Sequence, residues 1–130
     1  KNQLEIALNP NPVWNINLNM GASKAIFDLS EFKVKNVEVN TGAAKGIIKL
    51  GDKNDSTNVR IEMGAASVTI EIPVTSGCSI NSDMALSTSN FPGFKQTSSG
   101  NFETENFESA VKKILINVDG GLASMRIKRY

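Results

Sequence analysis

A Gly-Ala pair sits inside the same alternating pattern three times between Trp14 and Ile72, and this repeat constrains the fold more than any other feature of the chain. The first unit is Ile16-x-Leu18-x-x-Gly21-Ala22-x-x-Ala25-x-Phe27-x-Leu29. The second is Val37-x-Val39-x-x-Gly42-Ala43-x-x-Gly46-x-Ile48-x-Leu50, and the third is Val59-x-Ile61-x-x-Gly64-Ala65-x-x-Val68-x-Ile70-x-Ile72. The pair returns after 21 residues and again after 22. Apolar residues at every second position have the period of a half-buried strand. The alternation stops at the pair and resumes after it, so each unit reads as strand, corner, strand. Gly21, Gly42 and Gly64 are expected to permit a turn that a Cβ would obstruct. Ala22, Ala43 and Ala65 are expected to point inward, where only a methyl group fits. Units of about 21 residues with almost no helical signal predict an all-β solenoid, each repeat one coil stacked on the last.

Two rows outside the apolar pattern test this register. Six positions before the three glycines stand Asn15, Asn36 and Asn58, which would form a ladder along the solenoid axis. Seven positions after them stand Asp28, Lys49 and Glu71, whose charges would alternate from coil to coil. Both rows also fit plain solvent-facing polar residues.

The remainder of the chain is less regular. Leu4-x-Ile6-x-Leu8 reads as a short strand, and Asn9-Pro10-Asn11-Pro12 as a link. Trp14 is expected to cap the open end of the core, with ligand stacking as the other reading. Pro73 ends the third coil. Cys78-x-Ile80 and Met84-x-Leu86 read as a degenerate fourth coil with an irregular corner near Asp83. Residues 87–110 break the pattern and are expected to pack their phenylalanines onto the solenoid, with at most one helical turn at Glu108–Lys112. Ile116-x-Val118-x-x-Gly121-Leu122-x-x-Met125-x-Ile127 then restores the motif as a fifth coil, with Gly121 at its corner. The expectation is one domain of about five coils: an N-terminal strand and link over 1–13, regular coils over 14–86, an excursion over 87–110 and a last coil over 111–130. Charged residues in the closing strand discourage edge-to-edge aggregation. The first residue is lysine rather than methionine, so the chain is expected to be a processed or trimmed part of a longer product.

Composition narrows the function classes. The 130 residues carry a net charge of +1, so no field favours nucleic acid or an anionic membrane. No run is long and apolar enough to span a bilayer, and no signal peptide is visible. There is no histidine and one cysteine. Cys78 therefore has no partner for an internal disulfide, lacks an imidazole base, and is expected to be a small core hydrophobe. The turn-rich loop Gly51–Thr57 holds Asp52, Asn54 and Asp55, which raises calcium, but the spacing matches neither an EF-hand nor a calcium-binding β-roll. No metal, cofactor or catalytic residue is expected.

Trp14-x-Ile16-x-Leu18-x-x-Gly21-Ala22, Phe27-Asp28-Leu29-Ser30, the Gly-Ala repeats through Ile72-Pro73, Phe91-Pro92-Gly93-Phe94 and the closing Val118-Asp119-Gly120-Gly121 together resemble a group of bacterial domains. These are the toast-rack domains, related to the C-terminal part of LiaF-like cell-wall-antibiotic response proteins and to the "putative adhesin" families. The resemblance covers nearly the whole chain. It departs from the family at the corners, where Ser23, Ala44 and Ala66 replace the second glycine of Gly-x-Gly. It implies a right-handed parallel β-helix-like domain on a bacterial envelope protein, extracytoplasmic and anchored through a segment outside this sequence, with the cytoplasmic side of the membrane as the alternative. The family brings no catalytic residues to carry over.

Three functions are weighed. The first is a non-catalytic interaction or regulatory domain of the envelope, linked to the envelope-stress response. Its candidate partner surface is Ile26 and Ile47, in the outward register five positions after each glycine, where Thr69 and Arg126 stand in later coils. A covering by the N-terminal segment or the 87–110 excursion is the competing account of those isoleucines. The second is a surface adhesin or structural module that self-associates through its open ends. The third is a polysaccharide-active enzyme, for which Glu38 with Glu62, or Asp28 with Glu71, would supply two carboxylates. No aromatic groove accompanies them.

Overall fold

The computed structural model describes residues 12–20, 24–42, 45–64, 67–82, 93–98, 100–120 and 124–130. Each repeat folds as two strands on either side of its corner. β1 (Val13–Met20) and β2 (Lys24–Leu29) make the first coil, β3 (Lys33–Thr41) and β4 (Lys45–Leu50) the second, and β5 (Ser56–Met63) and β6 (Ser67–Ile72) the third. β7 (Gly77–Ser82), β8 (Phe94–Ser98) and β9 (Asn101–Thr104) follow, and β10 (Lys113–Gly120) and β11 (Ser124–Arg129) close the chain. The strands form a seven-stranded sheet in the order β1-β3-β5-β10-β7-β9-β8 and a four-stranded sheet in the order β11-β6-β4-β2. Successive coils pair in parallel, as a solenoid requires.

The core lies between the two sheets. Its central row in the large sheet runs Ile16, Val37, Val59, Ile116, Ile80 and Phe102, each the lateral partner of the next. Phe27, Ile48, Ile70 and Ile127 form the corresponding row in the small sheet. Members from the middle coils are 0–1% exposed, whereas Ile16 and Phe27 of the first coil are only partly buried. Among the described residues the first coil has a neighbour on one side only, so its apolar face is covered on one side only. Trp14, lateral to Val34, is half-buried at that same end.

The chain adopts the expected all-β, parallel, β-helix-like architecture, but it does not stack in chain order. The unit expected as a fifth coil lies directly on the third, with β10 against β5 and β11 against β6. β7, expected to begin a fourth coil, pairs with the far side of β10. The physical reason is completeness. The Ile116–Ile127 unit has apolar residues on both sides of its corner and extends both sheets at once. Gly77–Ser82 extends the large sheet alone, and Met84 and Leu86 lie outside the described residues.

The expected excursion is also more ordered than a covering loop. β8 and β9 form an antiparallel hairpin that widens the large sheet beyond β7. Gly100 closes it with φ of +78°, and a Cβ there would lie 2.2 Å from Ser82 O. Phe102, 1% exposed, joins the core from this hairpin. Before β10 the chain makes a single helical turn, in which Ala110 N donates to Asn106 O at 2.9 Å.

Candidate interaction surfaces

The outer face of the small sheet is built from the odd member of each alternation. Its middle row is Ile26, Ile47, Thr69 and Arg126, in lateral register across all four strands. Ile26, on edge strand β2, is 61% exposed, and Ile47 is half-buried beside it. The described part of the 87–110 segment pairs with the large sheet, so it does not cover them, and residues 1–11 of the N-terminal segment lie outside the described residues. The next row is Asp28, Lys49, Glu71 and Lys128, alternating in sign as anticipated for the first three and extended by Lys128. Hydrogen bonds from the Ser30 hydroxyl (2.6 Å) and amide (3.0 Å) hold the Asp28 carboxyl below its ordinary range, and Lys49 assists. Tyr130 closes this face: Lys49 Nζ lies 4.6 Å from its ring centroid, and its hydroxyl donates to Leu50 O. Partial burial raises the Tyr130 pKa, and the nearby Asp28, Asp52 and Glu71 raise it further.

The outer face of the large sheet differs in chemistry. Asn15, Asn36 and Asn58 share one row, and Asn36 Nδ2 donates to Asn15 Oδ1 at 2.7 Å. The row ends at Leu115, the lateral partner of Asn58. A neighbouring row crosses six strands as Asn17, Glu38, Arg60, Asn117, Asn81 and Asn101. Sequence reasoning singled out the ladder and missed this second row. Its signal was legible in Asn15-x-Asn17-x-Asn19, an amide at every second position of one strand.

A family model described as the N-terminal domain of toast_rack, DUF2154, matches residues 1–71, more than half of the chain. The chain belongs to this toast-rack family. No curated protein matches it. Among solved structures, the crystal structure of a "putative cell adhesion protein" from Clostridium sporogenes superposes with a TM-score of 0.80 at 22% identity. The match covers 95% of this chain and 58% of that one, so this toast-rack domain spans little more than half of that neighbour's length. At such identity the likeness establishes the fold alone.

The corners of this toast-rack domain require a correction. Gly42 and Gly64 follow the ends of β3 and β5 as expected, but neither has positive φ, and an added Cβ at Gly42 meets nothing within 4 Å. Gly64 is constrained instead by stacking, since its Cβ would lie 3.3 Å from Gly42 O. Glycine is therefore not demanded there by turn conformation. Gly21, Ala22, Ala43, Ala65 and Gly121 lie outside the described residues. The steric requirement falls on Gly51, where a Cβ would lie 2.1 Å from Ser30 O in the coil below.

The other chemical candidates are each accounted for locally. Arg60 lies beside Glu38 across the strands and contacts Glu62 at 3.2 Å, while Lys49 separates Asp28 from Glu71. In the 51–57 loop, Asp55 takes the Lys112 ammonium at 2.5 Å, which lowers its pKa, and Asp52 accepts from Thr75 at 3.5 Å. Among the described residues no three acidic or thiol groups gather as a metal site. Cys78 is fully buried, and desolvation drives its thiol pKa far up, with Arg129 opposing weakly.

Proposed function

We propose that this toast-rack domain is a non-catalytic interaction domain of a bacterial cell-envelope protein, acting through the outer face of its small sheet. The observation that carries the reading is the stacked pair Ile26 and Ile47, with Ile26 61% exposed on a strand whose outer edge has no described neighbour. An apolar pair framed by an alternating charge row supplies contact area and orientation for a protein partner. Cations stand beside or between the carboxylates of both pairs raised from the sequence, Glu38 with Glu62 and Asp28 with Glu71, which favours binding over catalysis there. The finer reading is a regulator of envelope-stress signalling, anchored to the membrane through a segment beyond this chain.

A second reading, a self-associating surface adhesin, is supported by an edge of β2 that has no partner among the described residues and by the description of the structural neighbour. Light scattering on the purified domain separates the two. A wild-type oligomer that Ile26→Lys/Ile47→Lys turns into a folded monomer supports self-association through this face. A monomer in both leaves the heterologous partner. Fractionation of the full-length protein tests location: recovery in the soluble cytoplasmic fraction would sink the envelope assignment.

A further inference from the structure

Nine of the chain's fifteen asparagines occupy outward positions of the large sheet, and the four strands of the small sheet contain none. Asparagine is depleted in strands, so the fold itself does not select it. Nor does coil stacking, because both sheets stack the same coils and only one carries amides. In this array Asn36 Nδ2 donates to Asn15 Oδ1, and at its far end Asn101 Nδ2 donates to Ser98 Oγ at 2.6 Å.

We propose that the outer face of the large sheet binds a neutral polyhydroxylated glycan strand lying along the solenoid axis. This goes beyond the reading above, because it assigns a second surface on the opposite sheet from Ile26 and Ile47. Each amide offers two N–H donors and a carbonyl acceptor, the same mixed set that a sugar hydroxyl needs. The row from Asn17 to Asn101 crosses six strands, a track of about 24 Å at the usual strand spacing. Its two charges, Glu38 and Arg60, are lateral neighbours of opposite sign, and Arg60 is also paired with Glu62. A charge-balanced track complements a neutral polymer and gives a polyanion no field to follow. A protein interface of normal strength wants an aromatic or aliphatic anchor at its centre. Among the described residues the outward positions of this sheet hold no aromatic side chain, and Leu115 is half-buried. Binding without a stacking platform is weak per sugar, so affinity must grow with glycan length.

The test is an NMR titration of the asparagine side-chain amides with the dimer and hexamer of N-acetylglucosamine, heparin serving as the polyanion control. The hexamer should shift the Asn17, Asn81 and Asn117 amides and bind at least about tenfold tighter than the dimer. Asn81→Thr/Asn117→Thr keeps strand propensity and removes both amides; it should weaken hexamer binding about tenfold at unchanged Tm. Absence of shifts with the neutral glycans, tighter binding to heparin, or unchanged binding by the variant would each overturn the inference. Failure here with a positive Ile26/Ile47 result would leave the interaction-domain reading standing. Binding accompanied by cleavage of the hexamer would keep the glycan site and sink the non-catalytic reading instead.

Discussion

Lys112 Nζ reaches Asp55 Oδ1 at 2.5 Å across 57 residues of chain, and this contact stands where β10 enters between β5 and β7. The adjacent Lys113 N donates to Asp55 O at 2.9 Å, so the 51–57 loop fixes the start of the inserted strand from both backbone and side chain. A strand that comes late in this sequence thus completes the middle of the large sheet. Ile116, 1% exposed, has Val59 on one side and Ile80 on the other. Truncating it opens a cavity with no free edge to collapse toward. Ile116→Ala should cost about 3 kcal/mol in urea unfolding, whereas Ile26→Ala should stay within about 0.5 kcal/mol.

Glycine substitutions should separate two positions that look alike in sequence. Gly51→Ala places a methyl group 2.1 Å from Ser30 O, a backbone atom held by the coil beneath. Relief requires moving one coil against another, and the variant should lose more than about 2 kcal/mol. Gly42→Ala meets open space at ordinary φ, so loss of unfolded-state entropy should leave it neutral or more stable by up to about 1 kcal/mol. Thermal melts of the two variants check this. Equal destabilisation would restore a conformational role to the corner glycine.

The repeat disclosed the solenoid because alternation is a local signal, and one unit predicts the register of the next. Ile26 beside Ile47 and Asn15 beside Asn36 follow from counting residues. Insertion of β10 was hidden, since which coil lies on which depends on a competition between Gly77–Ser82 and Lys113–Gly120 for the edge of β5. The hairpin of β8 and β9 was hidden for a related reason. Lys95, Gln96, Thr97 and Ser98 are all exposed on an edge strand, so no two-residue period marks them. At β3 the register shift opposite Trp14 and Asn15 leaves Lys35 and Asn36 both exposed. Thr57 answers it by donating to Val34 O at 2.8 Å from a buried position. The amide face was legible as composition but not as a site, because only the sheet topology brings Asn117, Asn81 and Asn101 into one row.

Asp28 predicts a pH dependence. Its folded-state pKa lies below the ordinary 3.8, chiefly through the Ser30 hydroxyl and amide bonds. The charged form is favoured by folding, so the contribution is present above the unfolded value and is lost as pH falls through the folded one. The group is largely exposed, which limits the effect to under about 1 kcal/mol. Asp28→Asn should flatten the Tm profile below about pH 4, and a profile identical to wild type there would contradict the assignment.

Cys78 should be chemically silent until the domain unfolds. Its side chain is fully buried in the row with Ile114, its amide donates to Thr104 Oγ1 at 3.0 Å, and burial holds the thiol protonated throughout the neutral range. A thiol-specific reagent at neutral pH should label it in denaturant and not in native buffer. Rapid native labelling would mean that β7 detaches from β10 well below the global unfolding free energy.

Arg129 sets the last prediction, because it occupies an inward position beside Ile72 where the alternation calls for an apolar residue. Its Nη2 donates to Val74 O and Ser76 O, both at 2.8 Å, and the amide of Asn106 reaches the same two carbonyls at 3.3 and 3.5 Å. The guanidinium thus ties the end of β11 to the 73–77 turn that sends the chain out to β7. Arg129 Nε, Ser76 Oγ and Asn106 Oδ1 have no hydrogen-bond partner there, so the cluster already carries a desolvation cost. Arg129→Met keeps the aliphatic stem and deletes the bonds, leaving Val74 O and Ser76 O to Asn106. It should cost about 1.5–3 kcal/mol, the range for hydrogen bonds to a charged group. Hydrogen exchange should speed first at the amides of Val74 and Tyr130, which pair with Tyr130 O and Ile72 O across this junction. A stabilised variant would show instead that the three unsatisfied atoms outweigh the two bonds, and that the arginine is kept at the expense of stability.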